Sequence, residues 1–114
     1  MTSLAEFRFI PYRRGEEALT TAEQNELALQ LPEWKVTERD QVKRLEREFR
    51  FPDFAQALSF TNRVGALAEE VNHHPSLLTQ WGRVTITWWT HEAGGLHRND
   101  FVMAARTDAL YSSA

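Results

Sequence analysis

The stretch GRVTITWWTH, residues 82–91, decides the fold because its apolar and polar side chains alternate. An extended chain points successive side chains to opposite faces. One face is apolar and holds Val84, Ile86 and Trp88. The other face holds Thr85, Thr87, Trp89 and His91. A strand with one apolar and one polar face is typical of an antiparallel sheet that helices cover on one side.

The neighbouring sequence predicts three more strands: residues 34–38, 43–51 and 77–81. Gly82 separates the last of these from residues 83–91, as in a hairpin. A turn at residues 39–41 joins the first two. Arg47 interrupts the apolar side of the second strand, which indicates an edge strand or a strand that forms part of an interface.

Three helices are predicted around the two hairpins: from about Thr20 to Pro32, from Asp53 to about His73, and from about His97 to Tyr111. Thr20 and Glu23 have the spacing of a capping box, and Asp53 is a natural N-cap. The order α-β-β-α-β-β-α predicts a two-layer α+β domain, a four-stranded antiparallel sheet with three helices on one face. We assign residues 1–18 to an N-terminal arm and residues 19–114 to the single domain.

The composition restricts the class of protein. A chain of 114 residues with 42% hydrophobic and 25% charged residues is typical of one globular domain. It has no cysteine, which excludes disulfides and thiolate chemistry and favours a reducing cytoplasm. A formal net charge of −3 does not favour nucleic acid as a partner. No apolar stretch approaches the length of a signal peptide core or a membrane span, so no membrane association is expected.

Five polar residues are candidates for chemistry: Glu69, His73, His74, His91 and Asp100. Glu69 and His73 are four residues apart, so we expect the carboxylate to lie beside the imidazole on one helix face. Pro75 disfavours helical backbone at His74, so the two adjacent imidazoles should diverge. Each residue also has a structural interpretation, as a surface pair, a helix-dipole partner or a cap. His97 is interpreted as a surface residue.

The same residues indicate proton transfer rather than another chemistry. Diverging histidines cannot easily share one metal ion, so no metal is expected. The sequence has no Gly-x-Ser-x-Gly elbow, no phosphate-binding loop and no dinucleotide fingerprint. Histidines that titrate near neutral pH remain as a general acid and a general base.

The spacing of these residues resembles the signature of the pterin-4a-carbinolamine dehydratases. The matching words are AEEVNHHP at residues 68–75, THEAGGL at 90–96, FxFxxFxxA at 49–57 and LPxW at 31–34, followed by Asp100. The likeness covers about residues 19–110. It implies a four-stranded sheet with three helices on one face and a homodimer or homotetramer. The implied reaction is dehydration of 4a-hydroxytetrahydropterin to the quinonoid dihydropterin, in tetrahydropterin recycling, without any metal or organic cofactor.

The resemblance also implies roles for individual residues. His73 and His91 would lie on either side of the carbinolamine as acid and base, in an order left open. His74 would hold the substrate or the other rings, and Glu69 would orient His73. Three residues would bind substrate or shape the pocket: Trp89, Thr90 and Asp100. His97 stands where relatives carry Ser or Thr, which predicts the loss of a helix cap.

Other functions are compatible with this sequence. The resemblance also covers non-catalytic dimerisation modules and proteins of another pterin pathway, that of the molybdenum cofactor. An aromatic amino-acid hydroxylase pathway could supply the substrate. The polar sheet face could bind nucleic acid, although the acidic net charge opposes this. Retention of three histidines at this spacing favours the enzyme.

Overall fold

The computed structural model describes residues 3–112 and has the predicted α+β architecture. Its helices are α1 (Thr21–Ala28), α2 (Phe54–Val71) and α3 (Arg98–Ser112). Its strands are β1 (Lys35–Arg39), β2 (Val42–Arg50), β3 (Ser76–Gln80) and β4 (Arg83–Trp88). The four strands form one antiparallel sheet in the order β1-β2-β4-β3. The predicted element order and fold class are confirmed.

Two tight turns build the hairpins. Asp40 and Gln41 both have positive φ, 52° and 66°, which suits the twist of a two-residue hairpin turn between β1 and β2. Gly82 has φ 75° between β3 and β4, and a Cβ there would lie 3.3 Å from the carbonyl oxygen of Phe51. Glycine therefore allows the close approach in which Phe51 N–H donates to Gly82 O at 2.9 Å.

The core lies between the sheet and its helices. The paired residues Leu45 and Trp88 are fully buried, and so are Phe49 and Val84. These side chains form the predicted apolar face of β2 and β4, and α2 and α3 pack against it. A one-residue shift in register would turn this face to solvent, so apolar burial fixes the pairing.

β2 is an interior strand, so the edge position, one of the two alternatives predicted for it, is wrong. The other alternative, a strand that forms part of an interface, stays a prediction. Arg47 lies on the core side, where its guanidinium is 4.3 Å from the Phe49 ring centre and 2.7 Å from Asp108 Oδ1. The indole N–H of Trp34 donates to the same oxygen at 2.8 Å. Burial raises the pKa of Asp108, and the bonds from Trp34 and Arg47 offset part of this effect. The charge on this apolar strand face is explained by a partly buried ion pair between Arg47 and Asp108.

The helix starts follow the predicted capping chemistry. Thr20 and Glu23 form a capping box, and the Asp53 carboxylate accepts from the Gln56 amide N–H at 2.8 Å. α2 ends at Val71, and Asn72 adopts the left-handed conformation, φ 53°. No helix within residues 3–112 is both long and apolar enough to cross a membrane.

The N-terminal arm packs against the domain over its described part, residues 3–18; residues 1, 2, 113 and 114 lie outside the described ranges. Leu4 is buried in the core. The Arg106 guanidinium donates to the carbonyl oxygens of Ala5 and Phe7, at 3.3 and 2.7 Å. Residues 3–18 contain a short 3-10 helix, Leu4–Glu6, and no strand.

Candidate active site

A cavity of about 560 Å³ lies where the end of α2, the segment after β4 and the N-terminal arm meet. It brings together five residues singled out from the sequence: His73, His74, Trp89, Thr90 and His91. We call it the histidine cavity. Glu69 and Asp100 do not line it, but each bonds to one of its histidines.

The His73 ring is held on two sides. Its Nε2 lies 2.7 Å from Asp100 Oδ1. Its face stacks on the buried Trp88 indole, with ring centres 5.5 Å apart and an angle of 28° between the planes. The side chain is 16% exposed, on the cavity side. One hydrogen bond and one stacked ring together fix the direction in which this imidazole faces the cavity.

Asp100 is fully buried in the first turn of α3. Its Oδ2 accepts from the Thr90 hydroxyl at 2.8 Å and from the His97 backbone N–H at 2.9 Å. An ionised carboxylate only accepts hydrogen bonds, and the helix N-terminus favours its negative charge. His73 therefore carries a proton on Nε2 toward Asp100, and its Nδ1 is the nitrogen that can exchange a proton.

Glu69 pairs with His74 and not with His73, so its predicted role as the partner of His73 is wrong. Its Oε1 contacts His74 Nε2, and the two side chains are 77% and 54% exposed. The spacing argument failed because the helix ends at Val71, and the left-handed Asn72 turns His73 away from the Glu69 face. An ion pair this exposed contributes little to stability.

His91 begins a short 3-10 helix, His91–Ala93, after β4 has ended at Trp88. The predicted strand is therefore three residues too long. Thr90 N–H donates to Gly95 O at 2.9 Å, which closes the loop beneath His91. The exposed His91 imidazole lines the histidine cavity and is open to solvent.

His97 is buried, not a surface residue as predicted. Its Nδ1 accepts a hydrogen bond from the backbone N–H of Asn99 at 3.1 Å. This bond replaces the helix cap that was predicted to be lost. Its Nε2–H donates to Glu16 Oε2 at 2.6 Å. This bond, followed by the one from the Arg13 backbone N–H, lowers the pKa of Glu16. Glu16 and His97 are remote along the chain, so no local pattern indicates this pairing.

Several cavity residues were missed at the sequence level. Phe9, Pro11 and Tyr12 of the N-terminal arm line the cavity. Arg44 of β2 does not line the cavity, but its guanidinium lies 4.0 Å from the centre of the Trp89 ring, a cation–π contact. Contacts of this kind have no local signature in a sequence.

The arrangement suits proton transfer. Within residues 3–112, no three His, Asp or Glu side chains are grouped so that they could hold a metal ion. The absence of a metal from the chemistry stays a prediction. Two imidazoles line one cavity, and one of them is hydrogen-bonded to a buried carboxylate. Imidazoles in such a setting are able to act as a general acid and a general base.

Known proteins resemble this chain over most of its length. A protein of Chlorobium limicola named "Putative pterin-4-alpha-carbinolamine dehydratase" is 53% identical over 97% of this chain and 98% of its own. A protein of the same name from Microcystis aeruginosa is 48% identical over 97% of this chain and 96% of its own.

Solved structures share the fold. A transcriptional coactivator/pterin dehydratase of Brucella melitensis superposes with a TM-score of 0.76 and 32% identity, over 83% of this chain and 99% of its own. A pterin dehydratase-like protein identified as a RuBisCO assembly factor in the alpha-carboxysome gives 0.59 and 28%, over 71% of this chain and 92% of its own. The model of the family described as pterin 4 alpha carbinolamine dehydratase matches residues 17–110, and this chain therefore belongs to that family.

Proposed function

We propose that this protein is a hydro-lyase that dehydrates 4a-hydroxytetrahydropterin to the quinonoid dihydropterin. One observation carries the proposal: a buried carboxylate, Asp100, orients His73 in the cavity that His91 also lines. A binding pocket alone would not need a carboxylate–imidazole pair that fixes which ring nitrogen carries the proton. Family membership supplies the substrate class.

The reaction needs one proton donor and one proton acceptor. The C4a–O bond breaks and a C4a=N5 double bond forms. The hydroxyl takes a proton and leaves as water, while N5 gives its proton to a base. Substrate therefore equals product plus water, and a proton returned through solvent restores both imidazoles. Each assisted proton transfer contributes about 10²–10⁴-fold to the rate.

We assign the base to His73 and the acid to His91. His73 directs Nε2–H toward Asp100, so a lone pair on Nδ1 is available to accept the N5 proton. His91 is exposed and can take up a proton from solvent before it protonates the hydroxyl. An imidazolium formed at His73 is stabilised by the Asp100 carboxylate, as in other carboxylate–histidine pairs.

The remaining cavity residues bind the substrate and shape the pocket. His74 offers a hydrogen bond to the substrate at the cavity rim, and Trp89 offers a flat apolar surface that Arg44 steadies. Thr90 acts through Asp100, to which its hydroxyl donates. Glu69 holds His74 from outside the cavity.

The wider setting follows from the family and the composition. We expect a cytoplasmic homodimer or homotetramer that needs no cofactor, with a pterin as its ligand and neither nucleic acid nor membrane as partner. A pathway that oxidises a tetrahydropterin, such as that of an aromatic amino-acid hydroxylase, would supply the substrate.

The test is a direct assay of quinonoid product formed from enzymatically generated 4a-hydroxytetrahydropterin. Wild type should accelerate dehydration, and His73→Ala and His91→Ala should each lose at least about tenfold in kcat. Treatment with a chelator should change neither kcat nor KM. No acceleration by folded wild type, or equal rates for all three proteins, would contradict the proposal.

A binding or assembly role is the second candidate. It is favoured by the descriptions of the two solved relatives, one a coactivator and one an assembly factor. Under this alternative the histidine variants would bind the partner as well as wild type does, because the partner would contact another surface. The same assay therefore separates the two candidates.

A further inference from the structure

The N-terminal arm forms one side of the histidine cavity. Phe9, Pro11 and Tyr12 line it opposite the elements that carry the histidines. The matching family model begins at residue 17, so these three residues lie before the part of the chain that defines the family. The arm is not peculiar to this chain, because the matches to the proteins of Chlorobium limicola and Microcystis aeruginosa span 97% of it.

The arm is fastened on both sides of these residues. Ile10 N–H donates to Asn99 Oδ1 at 3.2 Å, and the Asn99 amide group donates back to Ile10 O. The Tyr12 hydroxyl lies 3.2 Å from Glu92 O, next to His91. Further along, Glu16 accepts from His97. A segment held at the start of α3 and at the short helix of His91 presents a fixed surface to the cavity.

Phe9 is the arm residue whose ring contacts His73, the proposed base. Its ring centre is 5.9 Å from that of His73. The His73 ring is held independently by Asp100 and by stacking on Trp88. The Phe9 ring is partly buried against the core and also lines the cavity. An apolar aromatic surface beside an imidazole suits a flat heterocycle.

We propose that Phe9 is a substrate-positioning residue whose ring packs against the bicyclic ring of the pterin and holds it before His73. This inference rests on the proposed dehydratase function. It predicts that Phe9 contributes to the binding of substrate and product more than to the rate of the chemical step.

Phe9→Ala tests the proposal, with Phe7→Ala as the matched control. Both side chains are partly buried on the arm, but Phe7 packs under the Arg98 guanidinium, 4.8 Å away, and does not line the cavity. We expect Phe9→Ala to raise KM, and the Kd of an oxidised pterin followed by its fluorescence, about fivefold to tenfold. In the same variant kcat should stay within about threefold. Phe7→Ala should leave both constants at the wild-type value.

Phe9→Leu guards against a folding defect, since it keeps the apolar volume and removes the aromatic face. It should raise Kd by about twofold or more, with Tm close to that of wild type. The inference would be overturned if Phe9→Ala and Phe7→Ala had equal KM and equal pterin Kd values. A fall in kcat at unchanged Kd would also overturn it, because Phe9 would then act through His73 alone. If wild type did not accelerate dehydration, the proposed function would be wrong. The pterin Kd of the Phe9 variants would still test whether Phe9 binds the pterin.

Discussion

His73 Nε2 lies 2.7 Å from Asp100 Oδ1, although the two residues are 27 positions apart. Because the other Asp100 oxygen already accepts from Thr90 and from the His97 backbone, the contact fixes both the direction and the tautomer of the His73 ring.

Asp100→Asn should disable His73 without unfolding the protein. Thr90 and His97 both donate to one oxygen, so the amide must keep its oxygen there and turn its NH₂ toward His73. His73 Nε2 would then accept, its proton would move to Nδ1, and the base would be blocked. We expect kcat to fall at least about tenfold and as much as about 10⁴-fold.

The control for this variant is Asp108→Asn, a carboxylate of the same helix that lies outside the histidine cavity. It should leave kcat and KM unchanged, whatever its effect on Tm. The measurement is the dehydration assay together with thermal unfolding. Full activity in Asp100→Asn would mean that the tautomer of His73 does not matter.

Glu69→Gln should have little effect on activity. The carboxylate is 77% exposed and pairs with the exposed His74, and a pair so screened by water is weak. We expect kcat/KM to change by less than about threefold. Steady-state kinetics of this variant beside Asp100→Asn gives the comparison. A loss as large as that of Asp100→Asn would restore Glu69 as the residue that controls the catalytic histidine.

Arg47→Met should destabilise the fold. Arg47 and Asp108 are 18% and 28% exposed, and the variant leaves a half-buried carboxylate with the Trp34 indole as its remaining donor. We expect a loss of about 1–3 kcal/mol in the free energy of unfolding at neutral pH. Burial raises the pKa of Asp108, so protonation removes the unpaired charge, and the loss should shrink as the pH falls through that raised pKa.

Urea unfolding at several pH values checks this, with Arg50→Met as the control. Arg50 forms an exposed pair with Glu48, and its replacement should cost less than about 0.5 kcal/mol. Equal losses for the two variants would show that the Arg47 pair is no more important than a surface pair.

Glu16→Gln should weaken the arm in a pH-dependent way. The hydrogen bond from His97, and then that from the Arg13 backbone N–H, lower the pKa of Glu16 in the folded protein. Ionised Glu16 therefore stabilises the fold above the usual glutamate pKa, about 4.3, and this contribution is lost as the pH falls through the lowered pKa. The stability difference between wild type and variant should therefore shrink as the pH falls below the usual glutamate pKa. The measurement is the denaturation midpoint of wild type and Glu16→Gln at several pH values. A difference between the two midpoints that does not depend on pH would contradict the prediction.

The fold was largely predictable because its signals are local. The strand signal is the alternation of side chains along residues 83–88, and the helix signals are the caps at Thr20 and Asp53. Each signal depends only on residues a few positions apart in the sequence. The errors lie where a distant residue decides the outcome. Asp108 of α3 pairs with Arg47 and accepts from Trp34, which allows a charge on an interior strand. Glu16 of the arm pairs with His97, which allows that histidine to be buried.

The sequence by itself determined the α+β element order and the choice of His73, His74, His91, Thr90 and Asp100 as candidate site residues. Only the tertiary structure decided the pairings: Asp100 with His73, Glu69 with His74, and the arm beside the cavity. The physical reason is that strand and helix patterns follow from the backbone geometry of neighbouring residues. A hydrogen bond between distant side chains depends on how the helix ends turn and pack, which spacing along the chain does not encode.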